Sequence, residues 1–196
     1  MAAARRILSA LAVIWLAATL AFFALRALPG DAIAVQFMDS GASEEAIEQR
    51  RADYGLTDPL WLQYARYLAG LARGDFGTSL LNGQPVAWLI AQQLAPTLAL
   101  AVSALAVAVA TGLLLGCLGA LDVEPVGSAA RLVVNLSLST PIYWTGTLAI
   151  YVFTVQLALL PSSGAGGLSH LILPAAVLGF HTAGAIARVV RSGIVD

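Results

Sequence analysis

The chain has 196 residues, of which 59% are hydrophobic and only 11% are charged, and its net charge is −1. A soluble domain carries about 25% charged residues, so the composition favours an integral membrane protein, and the absence of a basic patch argues against a nucleic-acid partner. All ten basic residues are arginine, and without lysine the chain cannot contain the Gly-Lys-Ser/Thr phosphate loop of a P-loop ATPase.

The first apolar run predicts a retained transmembrane helix over 7–28. Arg5 and Arg6 precede it, as they would precede a signal peptide. The apolar part of a signal peptide is only about 7–15 residues long, whereas this run is longer and ends in Leu28-Pro29-Gly30-Asp31 rather than in a small-residue cleavage site. Arg26, near its far end, can extend to the membrane interface.

Residues 32–92 are predicted to form a polar segment outside the membrane. Ser43 suits the N-cap of a short helix, and Asp58 followed by Pro59 is typical of the start of a second one. The apolar residues of this second helix share one face, which predicts contact with the membrane surface or with the other helices. They are Leu60, Trp61, Tyr64, Leu68 and Leu71.

The second predicted span, 94–121, is nearly all Ala, Leu, Val and Gly. As a helix it measures roughly 42 Å, whereas the hydrocarbon core of a membrane is about 30 Å thick. The helix is therefore long enough to cross a membrane, and a tilt accommodates the excess length. Gly112 and Gly116 form a small-xxx-small pattern that predicts close packing with another helix.

A charge-free block from Leu132 to Ala187 predicts two further spans, over 132–160 and 171–190. A serine- and glycine-rich stretch after Pro161 separates them. Pro141 and Pro174 are expected to bend these helices, because proline removes a backbone hydrogen bond. The predicted fold class is therefore all-α, a polytopic bundle of four transmembrane helices.

The arginines near the span ends predict the orientation. The side richer in arginine is assigned to the cytoplasm, so both termini and the 122–131 link face inward and the 32–92 segment faces outward. The arginines on that side are Arg5, Arg6, Arg131, Arg188 and Arg191.

A series of short motifs, in order along essentially the whole chain, resembles the inner-membrane permease subunits of dipeptide, oligopeptide and nickel ABC importers. Each motif alone is weak, but the ordered series is specific. The motifs are Leu28-Pro29-Gly30-Asp31, Tyr54-Gly55-Leu56-Thr57-Asp58-Pro59-Leu60-Trp61-Leu62-Gln63-Tyr64, Gly74-Asp75-Phe76-Gly77-Thr78-Ser79, Gly83-Gln84-Pro85-Val86, Pro96-Thr97-Leu98, Ser139-Thr140-Pro141-Ile142-Tyr143-Trp144, Leu159-Leu160-Pro161-Ser162-Ser163-Gly164 and Ala187-Arg188-Val189-Val190-Arg191-Ser192.

The resemblance implies one of two homologous permease subunits in a bacterial or archaeal cell membrane. Two separate ATPase subunits would use ATP to drive transport, and an extracytoplasmic solute-binding protein would deliver the substrate. The chain itself is then not an enzyme and holds no cofactor. Dipeptides, oligopeptides, nickel, glutathione and sugars all remain open as substrates.

The resemblance also implies six transmembrane helices and a cytoplasmic EAA loop that docks on the ATPases. The 196 residues reach four spans, so they are expected to be the N-terminal four-span part, with the EAA loop and last two spans absent. The 122–131 link also has fewer basic residues than is usual in the family. A truncated, non-transporting remnant or assembly subunit is therefore an alternative, and an intramembrane enzyme a remote one.

Two groups of residues are expected to serve transport. A polar cluster beside Pro141 is assigned to the translocation path, the alternative being hydrogen bonds between helices plus an aromatic belt. The outer segment is expected to dock the binding protein or to gate the outer mouth. The path residues are Asn135, Ser137, Ser139, Thr140, Tyr143 and Trp144, and the outer residues are Trp61, Arg66, Asp75 and Phe76.

The remaining ionisable residues predict structural roles. His181 is expected to bond a neighbouring helix, although ionisable residues inside a membrane are also functional candidates. Arg188 and Arg191 are expected to stabilise the cytoplasmic helix end. A serine protease is disfavoured because no Gly-x-Ser-Gly sequence occurs, and a zinc site lacks ligands, because His170 and His181 have only Cys117 to join them.

Overall fold

The structure is a computed structural model that describes residues 2–27, 43–79, 81–121, 123–164 and 166–195. These residues form seven α-helices and one π-helical turn without a β-strand, which confirms the predicted all-α class. The predicted end of the first span at Leu28 and the start of the 32–92 segment lie outside the described residues. The helices are α1 Ala2–Ala27, α2 Glu44–Asp53, α3 Leu60–Ala72, α4 Val86–Ala120, α5 Val126–Ser139, α6 Ile142–Ile150 and α7 Leu168–Val195, with the π-helical turn over Tyr151–Gln156.

Three of the described helices, α1, α4 and α7, are long and apolar enough to cross a membrane. The longest, α4, has 35 residues, or roughly 52 Å of helix. It begins at Val86, earlier than the predicted span, because Pro85 accepts the first helical hydrogen bonds through its carbonyl and good helix formers follow. Pro96 lies inside α4, and the Thr97 hydroxyl donates to the Gln93 carbonyl at 2.6 Å.

The predicted third span, 132–160, consists of two helices and the π-helical turn. α5 ends at Ser139, and Thr140 is extended at φ −87° and ψ 138°. The residue before a proline is driven out of the helical region by the proline ring, so the chain breaks here rather than bending within one helix. α6 then begins at Ile142, directly after Pro141.

The chain divides into two compact units, 1–90 and 91–196. In the first unit, the last turns of α1 pack on α3. Phe22 is only 3% exposed, and its ring meets that of Tyr64 edge-on at 5.2 Å. The Thr19 hydroxyl and the Tyr64 hydroxyl are 2.7 Å apart. An aromatic cluster joined by a polar contact therefore fixes α3 against α1.

In the second unit, α7 packs against α4, α5 and α6. Four of the six buried residues of α7 are small and recur at every fourth position, so they form a narrow stripe that faces its neighbours. Such stripes bring helix backbones close together, which matters in a membrane because lipid provides no hydrophobic drive for helices to associate. The stripe consists of Ala175, Gly179, Ala183 and Ala187.

Candidate functional site

A polar cleft of about 270 Å³ opens between the end of α1, α3 and the turn that follows α3. Arg26 stands at one wall, where its guanidinium carbon lies 3.6 Å from the centre of the Phe22 ring. Such a cation–π contact keeps the charge favourable beside apolar surface. The cleft is lined by Arg26, Tyr54, Gly55, Gln63, Arg66, Tyr67, Gly70, Asp75, Phe76 and Gly77.

Gln63 organises the floor of this cleft. Its Oε1 accepts from Arg26 Nη2 at 2.8 Å and from Arg26 Nε at 3.1 Å. Its Nε2 donates to the carbonyls of Asp58 and Leu56, at 2.7 and 3.0 Å. One amide therefore ties α1 to the turn that precedes α3. Gln63 was not predicted as a site residue, although it belongs to the Tyr54–Tyr64 motif and is a polar residue among the apolar positions of α3.

Three of the four predicted outer residues line the cleft. Arg66 forms an ion pair with Asp58, and the Asp75 carboxylate accepts the Gly77 N–H at 2.9 Å, which shapes the turn. Phe76 is 50% exposed. The fourth, Trp61, is 70% exposed on α3 and is not among the residues that line the cleft.

Of the six predicted path residues, the structure buries one and leaves the other five exposed or half-buried around the α5–α6 break. Ser137 is only 2% exposed and donates its hydroxyl to the Val134 carbonyl. The Thr140 hydroxyl donates to the Leu136 carbonyl at 2.7 Å. Tyr143 and Trp144 are exposed by 86% and 59%. Asn135 and Ser139 are also exposed, and Asn135 lines a small cavity beside α4 and α7.

Gly112 and Gly116 lie buried where α4 meets α7. A Cβ atom on Gly112 would lie 2.8 Å from Ile186, and one on Gly116 would lie 2.7 Å from Val190. Both would also approach backbone carbonyls of α7 at about 3 Å. The two helices can therefore be this close only because these positions lack side chains.

The α7 side of this contact was not predicted, although its four-residue spacing could be read from the sequence. Gly179 packs against Val107 of α4, and Gly184 packs against Ser137 and Leu138 of α5. The missed signal is the recurrence of Ala and Gly at every fourth position, which resembles the pattern recognised in α4.

His181 joins α6 to α7, because its Nε2 lies 3.0 Å from the Thr145 hydroxyl. This contact confirms the predicted bond to a neighbouring helix.

Pro174 lies inside α7, and with His170 it lines a mainly apolar cavity of about 280 Å³ against α6 and the Ser162–Ser163 turn. A further cavity of about 570 Å³ separates the same part of α7 from α4.

The C-terminal end of α4 is held by two arginines from other helices. Arg191 of α7 donates to the Gly119 carbonyl at 3.0 Å, and Arg131 of α5 donates to the same oxygen at 3.3 Å. Cations are favourable at this end of a helix, where the unpaired carbonyls carry partial negative charge. Arg131 also pairs with Glu124. Hydrogen bonding from Ser128 and then from Arg131 lowers the pKa of Glu124.

The described residues contain no cluster of three or more His, Cys, Asp or Glu side chains that could hold a metal ion.

The sequence is similar to a known protein family and to several of its members. Residues 2–101 match the family described as "Binding-prot-dependent transport system membrane comp, N-term". A putative peptide transport system permease protein of Brucella abortus (strain 2308) is 33% identical over 201 residues, covering 98% of this chain and 64% of its own length. The corresponding protein of Brucella suis biovar 1 (strain 1330) gives the same values.

The glutathione transport system permease protein GsiC of Escherichia coli (strain K12) is 33% identical over 193 residues, covering 98% of this chain and 63% of its own length. The chain thus spans less than two thirds of the length of these relatives. Together with its long apolar helices, the similarity makes this a multi-pass protein of the inner membrane. The chain belongs to the family of membrane components of binding-protein-dependent transport systems.

Proposed function

We propose that the chain is a permease subunit of an ABC importer and forms part of the translocation path for peptides or a related small solute. The observation that carries this proposal is the 33% identity that extends over 98% of the chain to proteins named as peptide and glutathione transport permeases. A match of this extent includes the loops as well as the spans, so it is not merely a shared apolar composition.

The energy for transport is proposed to come from partner subunits. The 196 residues contain no lysine, so they hold no Gly-Lys-Ser/Thr phosphate loop. Two ATPase subunits would bind and hydrolyse ATP, and a second homologous permease subunit would complete the path. In this proposal the chain itself catalyses no reaction. It would alternate between outward-facing and inward-facing arrangements, with its N terminus in the cytoplasm.

The polar residues around the α5–α6 break that are not buried are the part of this chain that we assign to the path. Asn135, Ser139, Thr140, Tyr143 and Trp144 are available there, and the break leaves backbone groups that need polar partners. Ser137 is better suited to helix packing, because its hydroxyl is buried against α7 and bonds its own helix.

The α1–α3 cleft and the neighbouring aromatic side chains are proposed to contact the extracytoplasmic binding protein. Phe76 lines the cleft together with charged residues, and Trp61 is exposed on α3. Aromatic residues are enriched at interfaces. A photoreactive residue in place of Trp61 should crosslink to the binding protein. A matched replacement of Trp15, which is 54% exposed on the apolar helix α1, should not. Equal crosslinking from both positions would reject docking at this surface.

Uptake measurements test the function itself. Deletion of the gene in the source organism should abolish uptake of at least one radiolabelled substrate among a dipeptide, a tripeptide and glutathione, and the gene on a plasmid should restore it. Uptake should stop when cells are depleted of ATP. Unchanged uptake of all three substrates after deletion, or uptake that persists without ATP, would contradict the proposal.

A further inference from the structure

Three arginines surround a small cavity of about 110 Å³ where the end of α4 meets α5 and α7. We call Arg131, Arg188 and Arg191 the arginine cluster. The cavity lies at the end of the apolar helix α4, at the level where a membrane span gives way to a polar connection. Its lining consists of Leu115, Gly119, Arg131, Val134, Asn135, Ala187, Arg188 and Arg191.

Hydrogen bonds to the α4 end occupy only part of the cluster's donors. A guanidinium group carries five N–H donors. Arg191 uses its Nε–H on the Gly119 carbonyl, and Arg131 uses donors on the same carbonyl and on Glu124. Arg188 makes no hydrogen bond in the described part of the chain and is exposed. The Gly119 contacts therefore hold two guanidinium groups in place while donors remain available to a ligand.

Positive charge exceeds negative charge around the cavity. Glu124 pairs with Arg131 and is 60% exposed at its side chain. Among the described residues, Arg188 and Arg191 form no ion pair with a carboxylate. Guanidinium groups that are not paired with a carboxylate bind phosphate well, since their planar arrangement of donors matches the phosphate oxygens. The amide of Asn135 adds a neutral donor on the α5 side.

The same cavity has an apolar wall. Leu115, Val134 and Ala187 line it together with the arginines, and all three belong to the second unit. A free inorganic anion gains nothing from such a wall, whereas a lipid does, because its acyl chains continue along apolar helix surface while its head group remains at the interface. Basic pockets between transmembrane helices are established sites for anionic head groups.

We propose that the arginine cluster binds the phosphate group of an anionic phospholipid. Arg188 and Arg191 donate to the phosphate oxygens, Arg131 contributes its charge, and the acyl chains lie along α4 and α5. The bound lipid then links three helices at one end of the unit, beyond what the hydrogen bonds to Gly119 achieve. This site is independent of the proposed transport role, since it requires only that the helices lie in a bilayer.

Native mass spectrometry of the detergent-solubilised chain tests this site, with dioleoyl phosphatidylglycerol as the probe and dioleoyl phosphatidylcholine as its zwitterionic counterpart. The chain should retain the anionic lipid more tightly. Arg188→Gln should weaken that binding about fivefold, the usual effect of one arginine near a charged membrane surface. Arg188→Lys should restore part of the affinity. Because Arg188 makes no hydrogen bond in the described part of the chain, these variants remove none of the hydrogen bonds between the helices.

Arg73→Gln is the control, since Arg73 is an exposed arginine at the end of α3. It should bind phosphatidylglycerol as the unchanged chain does. Equal effects of Arg188→Gln and Arg73→Gln, or equal retention of the two lipids, would overturn the proposal. A third arm adds glycerol 3-phosphate. Displacement of the lipid by equimolar glycerol 3-phosphate would identify a site for soluble phosphate and would also overturn the lipid assignment, whereas continued retention supports it.

Discussion

A single hydrogen bond between the Thr145 hydroxyl and the His181 ring connects α6 to α7 at 3.0 Å. In the membrane a lost bond of this kind is only partly replaced, because water does not reach the groups left behind. Double-mutant measurements in another membrane protein put such bonds at about 0.6 kcal/mol on average and at most about 1.7 kcal/mol. This contact is therefore a modest but measurable part of the attachment of α6.

We expect Thr145→Val to lower the free energy of unfolding by about 0.6 to 1.7 kcal/mol. The measurement is unfolding by sodium dodecyl sulfate in mixed micelles, followed by circular dichroism. Thr147→Val is the matched control, since the Thr147 hydroxyl donates to the Tyr143 carbonyl of its own helix. The same loss of stability in both variants would show that the bond to His181 contributes nothing specific.

The glycines at the α4–α7 contact determine how closely these two helices can approach each other. On α4 the close positions are Gly112 and Gly116, and on α7 the facing residues include Ile186 and Val190. Added methyl groups would meet both side chains and backbone carbonyls, so relief requires movement of a whole helix. Overpacking of this kind costs roughly 1–3 kcal/mol.

Gly112→Ala and Gly116→Ala should therefore each destabilise the chain by roughly 1–3 kcal/mol in the same unfolding assay. Gly193→Ala, in α7, is the control, because an added Cβ there meets no atom within 4 Å. That control should be neutral or slightly stabilising, since alanine is the better helix former by up to about 1 kcal/mol. A Gly112→Ala variant as stable as the Gly193→Ala variant would contradict the close packing.

The start of α5 is the second element with a measurable energetic signature. Hydrogen bonds from Ser128 and Arg131 favour the ionised form of Glu124 and so lower its pKa below its ordinary value of 4.5. A carboxyl group with a lowered pKa in the folded state stabilises that state fully above its ordinary pKa. The contribution is lost as the pH falls through the lowered folded-state value.

The unfolding midpoint should therefore fall as the pH drops from 6 toward 3, and it should fall less steeply in Glu124→Gln, which has no carboxyl group to protonate. Thermal unfolding in detergent across this pH range makes the comparison. Glu45→Gln, in the exposed helix α2, serves as the control and should retain the slope of the unchanged chain. Parallel curves for the Glu124→Gln variant and the unchanged chain would exclude this contribution.

Prediction from sequence succeeded where the signal is local. Hydrophobic runs and helix propensity indicated the all-α class and the apolar helices, and the spacing of Gly112 and Gly116 marked positions that the structure buries. The break at Thr140 was missed because the apolar run continues through it, and its cause is the steric demand of Pro141 on the preceding residue.

Contacts that depend on tertiary packing could not be predicted in this way. Gln63 and Arg26 are 37 positions apart, and Arg191 and Gly119 are 72 positions apart. No periodic pattern links such residues, since their meeting depends on how whole helices are placed. For the same reason the sequence could assign the polar residues near Pro141 to the path only as a group, and it could not show that Ser137 is buried among the helices while Tyr143 is exposed.

For the whole molecule, the proposed orientation is the property on which the transport proposal depends. The binding protein can reach the α1–α3 cleft only if residues 43–79 lie outside the cytoplasm, which is the side that the positive-inside rule predicts for them. Two exposed positions lie on opposite sides of the membrane in the proposed orientation and can be used to test it. Arg73 follows α3 in the outer segment, and Val123 is 58% exposed in the connection between α4 and α5.

We expect a membrane-impermeant maleimide to label Arg73→Cys in intact spheroplasts and to label Val123→Cys only after the membrane is opened. Both variants are made in a Cys117→Ala background, because Cys117 is exposed on α4. The two positions control for each other, since each must react under one condition. The reverse pattern would place the cleft in the cytoplasm. Docking of an extracytoplasmic protein at Trp61 would then be ruled out, while membership of the family, which rests on sequence similarity, would be unaffected.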